Sequence, residues 1–139
     1  MEANHPVARW HSIVRSRDAA QLQDLLAEDV VFFSPVVHTP QRGRAITGAY
    51  LGAAVQVFGN GHFRYVREIV GPGDAMLEFE TVIDGVQVNG VDLVRWNGEG
   101  RITEFKVMVR PLKAIQAVHQ RMGEMLQAMQ AMQAMQAQQ

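Results

Sequence analysis

The sequence predicts an α+β domain in which short helices come first and then pack on one face of a strongly curved antiparallel sheet. Three observations lead there. Between residues 6 and 27 apolar side chains recur at three-to-four spacing, the period of a helix buried along one side. Between residues 62 and 110 apolar and polar residues alternate through four runs separated by turn residues. A second long helical pattern then begins at Pro111. Helices followed by a block of strands, rather than strict strand–helix alternation, is the pattern of a sheet covered on one face.

The composition bounds the rest. A chain of 139 residues, 47% hydrophobic, is one compact domain with enough apolar side chains for a core. Net charge is −1 and scattered, so no nucleic-acid footprint is expected. The absence of cysteine removes disulfides, thiolate nucleophiles and thiolate metal sites together. No run is apolar and long enough to span a membrane, and MEANHPVARW lacks the apolar core of a signal peptide, so a cytoplasmic protein is expected.

In order, Val7, Trp10, Ile13 and Val14 define a first helix from Pro6 to about Arg15, with Pro6 suited to its first turn. A second runs from about Asp18, its cap, to Ala27, burying Leu22, Leu25 and Leu26. VVFFS, Val30 to Ser34, reads as a buried strand. Residues 35–43, with two prolines, read as a loop. A third helix spans about Arg44 to Phe58 with Ile46, Tyr50, Ala53, Ala54 and Val57 on its packed face, stopped by Gly59-Asn60-Gly61.

Four strands joined by short turns then form a meander. Phe63, Tyr65, Arg67 and Ile69 share one side of the first, and Leu77, Phe79 and Thr81 one side of the second. Asp84-Gly85 is a two-residue hairpin turn. Strong curvature makes the sheet a cone, and helices closing its mouth leave a pocket. Met76, Val91, Leu93, Trp96 and Met108 fall on the other face, where a homodimer would cover them. In the final helix Leu112, Ile115, His119, Met122 and Leu126 recur at helical spacing. The domain proper is residues 1–126; residues 127–139 are a low-complexity Met/Gln/Ala tail, either a frayed helical extension or a methionine seam for a partner.

The hairpin from Gly90 to Leu112 carries the one residue that breaks the apolar pattern. Asp92 lies on the same strand side as Val88 and Val94, facing Phe105, Val107 and Val109. A carboxyl there must be hydrogen-bonded, protonated or functional.

ARWHSIVRSRDAAQLQDLLAEDVVFFSP and VDLVRWNGEGRITEFKVMVRPL resemble the paired helices, first strand and last hairpin of the nuclear transport factor 2-like superfamily, within it the SnoaL-like and ketosteroid isomerase group. The resemblance covers residues 5–125 and implies the cystatin-like cone. It places Ser34 where the isomerases carry their proton-shuttling Asp, and Trp10 where they carry a tyrosine donor. Asp92 matches their buried protonated acid. A serine without a base partner does not abstract a carbon-bound proton at neutral pH, so isomerase activity is not expected. SnoaL-like cyclases use one pocket acid, a role Asp92 could fill. The paired carboxylates of related epoxide hydrolases have no counterpart here.

Asp92 is therefore the candidate acid, and His38, in the two-proline loop, a weaker one. Trp10, Phe32, Ser34, Tyr50, Phe63, Tyr65, Leu77, Phe79, Phe105 and Val109 are the candidate lining. No metal ligand spacing and no cofactor motif is present. The expected ligand is a small hydrophobic metabolite, polyketide-, terpene- or steroid-like. A non-catalytic binding protein and a dimeric interaction module with a filled cavity are the rivals.

Overall fold

The computed structural model describes residues 1–137. Helix α1 (Pro6–Ser16) opens on Pro6, and the His5 side chain caps it by accepting from the Val7 N–H. Val7, Trp10 and Ile13 form its buried stripe. Asp18 caps a 3-10 turn (Ala19–Gln21) that continues into a single turn of α2 (Leu22–Leu25).

Strand β1 (Leu26–Phe33) begins four residues earlier than local pattern suggests. Leu26 turns extended to pair with Ile102 and is fully buried there, so sheet packing overrides the helical propensity of the second predicted helix. The two-proline loop contributes a two-residue strand β2 (Gln41–Arg42) against β1.

Helix α3 (Arg44–Phe58) has the predicted bounds but a different buried face. Thr47, Leu51, Gly52, Ala53 and Val55 are buried, while Ile46 is exposed and Tyr50, Ala54 and Val57 are half-buried. The half-buried positions front cavities rather than solid core. Strands β3 (Arg64–Val70), β4 (Asp74–Ile83), β5 (Val86–Trp96) and β6 (Ile102–Arg110) are the meander. Asp84 and Gly85 both take positive φ, 51° and 77°, which the tight turn between β4 and β5 requires.

The six strands lie in the order β2-β1-β6-β5-β4-β3. β1 runs parallel to β6, so the sheet is mixed, not wholly antiparallel. A bulge at Val66 bends β3. It also reverses the faces of the residues beyond it: Arg67 and Ile69 pair with Glu78 and Met76 on the outside, and Glu68 pairs with Leu77 on the helix side. Trp96 does not join the outer face. It has the parity of Asp92 and Val94 and packs against the core, edge-on to His5 at 5.1 Å.

Helix α4 (Leu112–Ala137) runs unbroken into the low-complexity tail as far as Ala137; residues 138 and 139 of that tail lie outside the described residues. Its buried positions are Ala114 and Val118, with Met122 packed beside them, whereas Leu112 is exposed. The helix packs against α3 and strands β4, β5 and β6, and Phe79, Ile83 and Val88 are buried with its Ala114 and Val118. No helix among the described residues is long and apolar enough to cross a membrane.

Candidate functional site

Asp92 projects from the middle of β5 onto the concave face, with Leu77 and Val107 opposite it on the flanking strands. It is only 5% exposed. The Tyr65 hydroxyl donates to Asp92 Oδ2 at 2.6 Å, and Trp10 Nε1–H donates to the Tyr65 oxygen at 2.8 Å. Three elements, α1, β3 and β5, thus meet in one hydrogen-bonded row. Burial pushes the Asp92 carboxyl up from 3.8 to about 7, against the lowering effect of the Tyr65 hydrogen bond. Burial, then the Asp92 charge, holds the Tyr65 hydroxyl well above its ordinary value. Tyr65 therefore stays a neutral donor while Asp92 changes charge near neutrality.

Asp92 Oδ1 has no hydrogen-bond partner among the described residues, where the fully buried side-chain polar atom left without one is Thr47 Oγ1. Asp92 faces a cavity of about 40 Å³ walled by Trp10, Leu51, Val55, Phe58, Phe63, Phe79, Phe105 and Val107. That is room for about one or two waters, not for a ring system. A second cavity of about 140 Å³ lies beside it under α4, bounded by Phe32, Ser34, Tyr50, Val118, His119, Met122 and Leu126. Ala54, Phe58 and Val107 belong to both walls. The cone is therefore two chambers separated by the thickness of one side chain.

The predicted lining divides accordingly. Trp10, Phe63, Tyr65, Phe79 and Phe105 surround the inner chamber with Asp92. Phe32, Ser34 and Tyr50 stand in the outer one. Leu77 is wholly buried in the core, and Val109 packs below α4. Ser34 does not approach Asp92: its Oγ accepts from the Val36 and Val37 N–H groups at 3.1 and 3.3 Å, holding the turn after β1. His38 is exposed on an outer groove with Pro40 and Lys106 and shares no chamber with Asp92. Among the described residues no cluster of three or more His, Cys, Asp or Glu is placed to hold a metal.

Leu51, Val55 and Phe58 of α3 are among the lining residues that sequence reasoning did not single out. Their signal was available only as the helix face adjoining the predicted one. His11 and Glu68 also gain a place. They pair with each other, and the His11 ring sits edge-on to Tyr65 at 4.9 Å, behind the hydroxyl that serves Asp92. Simple alternation assigned Glu68 to the outside; the Val66 bulge brings it in.

Comparison with known proteins agrees with this architecture. The SnoaL-like domain family matches residues 7–105. The fold is similar to a steroid delta-isomerase from Pseudomonas aeruginosa, at 34% identity over 94% of this chain and 97% of that one, with a TM-score of 0.86. It is also similar to an uncharacterised cystatin-like protein from Silicibacter pomeroyi, at 35% identity over 86% and 83% of the two chains, TM-score 0.79. A nuclear transport factor 2-like protein of unknown function from Mesorhizobium loti follows at 25% identity over 76% and 88%, TM-score 0.68. No curated protein sequence matches the chain.

Proposed function

This chain belongs to the SnoaL-like domain family, and from that premise we propose that it binds a small, largely apolar molecule in its cone and presents to it a single acidic proton from Asp92. The observation that carries this reading is the asymmetry of the Asp92 carboxyl. One oxygen is held by Tyr65, and the other faces an otherwise apolar cavity without a partner among the described residues. In the protonated form Oδ1–H donates to a ligand carbonyl or hydroxyl oxygen. As negative charge develops on that oxygen the proton transfers, and the carboxylate left behind keeps the Tyr65 hydrogen bond.

Among the described residues only Tyr65 and Asp92 are titratable in the inner chamber, so with Asp92 serving as the acid no second group is left there to act as a base. The reading is thus a cyclase- or lyase-like acid site rather than the steroid delta-isomerase activity named for the Pseudomonas protein. Trp10 cannot stand in as an oxyanion donor, because its N–H already serves Tyr65. The same lack of a second group supports the alternative of a binding protein that returns its ligand unchanged.

Asp92→Asn tests both. The fold should persist, since an amide oxygen still accepts from Tyr65, and turnover should fall by at least about tenfold, because the amide N–H donates a hydrogen bond but gives up no proton. Unchanged turnover would reject the assignment. Ligands that bind, raise the melting temperature and emerge intact would favour the binding-protein reading.

The outer sheet face supports a homodimer. Ile69, Met76, Leu93, Val91 and Met108 make adjoining outward rows, with Ile69 62% and Met108 52% exposed. Leu93→Glu with Met108→Glu should convert a dimer to monomer by sedimentation; a monomeric wild type would remove the proposal.

A further inference from the structure

The outer chamber differs from the inner one in the state of its polar groups. Ser34 Oγ accepts two backbone N–H bonds, which leaves its own proton free to donate. The Tyr50 hydroxyl makes no hydrogen bond to a described residue and is not sealed off, while its ring is held against Phe32 with centroids 5.5 Å apart. His119 stands on α4 at the same chamber's rim. In an empty chamber water would satisfy these groups. A wholly apolar ligand would displace that water and leave the hydroxyls unpaired, a cost it could not recover.

We infer that the ligand is two-ended: an oxygen in the inner chamber at Asp92, an apolar middle passing the Ala54–Phe58–Val107 waist, and a second hydroxyl or carbonyl in the outer chamber at Tyr50 and Ser34. This deepens the reading above and rests on the cone being the ligand site. Phe58 is the gate. It is the last residue of α3, half-buried, with its ring edge-on to Phe79 at 5.5 Å and Phe63 at 6.3 Å. Swinging that one ring aside joins two chambers that are each too small alone for an ordinary metabolite. Tyr50 and Ser34 are then specificity residues for the far end of the ligand.

Calorimetric titration with methyl octyl ketone and with its ω-hydroxy derivative tests this directly. Wild-type protein should bind the hydroxy ketone about tenfold more tightly, although the added hydroxyl disfavours transfer into an apolar cavity. Tyr50→Phe, which leaves the Ser34 turn intact, should remove most of that preference, and adding Ser34→Ala should reverse it. Phe58→Ala should raise affinity for both ketones alike. A wild type that prefers the plain ketone, or a preference that survives in Tyr50→Phe/Ser34→Ala, would overturn the inference. Asp92→Leu, which keeps the branched shape and removes the donor, separates the two readings. It should weaken both ketones equally; no effect there would reject the acid at the inner end while the hydroxyl preference still stood.

Discussion

Glu78 and Asp92 sit on neighbouring strands, one step apart in register: Leu77 is opposite Asp92, and Glu78 is opposite Val91. Their carboxyls are nevertheless pushed in opposite directions. Glu78 faces outward, where the Asn89 amide and the Arg67 guanidinium hydrogen-bond to it and hold its carboxyl below the ordinary range. Asp92 faces inward, where burial raises its carboxyl to about 7 with only Tyr65 in opposition. The pleat decides which carboxyl stays ionised and which one titrates near neutral pH.

The largest way to break this contrast is Asp92→Asn. The folded protein holds on Asp92 a proton that the unfolded chain releases above an ordinary value of 3.8. Its contribution to stability is therefore fully present below that value and is lost as pH rises through about 7. At about 1.4 kcal/mol per pH unit, the loss approaches roughly 4 kcal/mol. Urea unfolding at pH 4 and pH 8 should show that slope in wild type and its removal in Asp92→Asn, the variant being the more stable protein at pH 8.

Next in size is Tyr65→Phe, which takes the donor from Asp92 and the acceptor from the Trp10 N–H at once. A loss of about 3 kcal/mol is expected at acid pH, with Asp92 titrating still higher. Equal stability would show that water replaces the hydroxyl. Gly90→Ala probes the packing of the sheet's inner face. A methyl there collides with the Phe79 ring and the Met108 carbonyl, and about 2 kcal/mol should be lost. Glu78→Gln, on the wet face, should leave the melting temperature near wild type at neutral pH. Its sign is opposite, because a lowered carboxyl adds stability above its ordinary value and loses it only as pH falls. The smallest change is deletion after Gln127: the fold and its melting temperature should be unaffected if the tail is only a helical extension.

The contrast itself was readable from residue order, since strand alternation puts Asp92 among Val88, Val94 and Phe105 without any coordinates. So were the α3 bounds and the Asp84-Gly85 turn, where local chemistry specifies the backbone. What escaped was set at a distance. The Val66 bulge, which brings Glu68 beside His11, serves the curvature of the whole sheet and has no local signature. Leu26 leaves its helix to meet Ile102, far away in sequence. The division of the cone into two chambers depends on where the Phe58 ring and α4 come to rest, and periodicity cannot tell a residue that lines a cavity from one that fills it. Trp96 was assigned to the wrong face although alternation places it with Asp92.

The most direct measurement is the titration of the Asp92 side-chain carboxyl by carbon NMR in ligand-free protein, assigned by comparison with Asp92→Asn. A midpoint near 7, with the other Asp signals moving in the ordinary acid range, is the result expected of an acid shut inside an apolar cone. A midpoint close to 3.8 would mean a solvated carboxylate and would contradict the account.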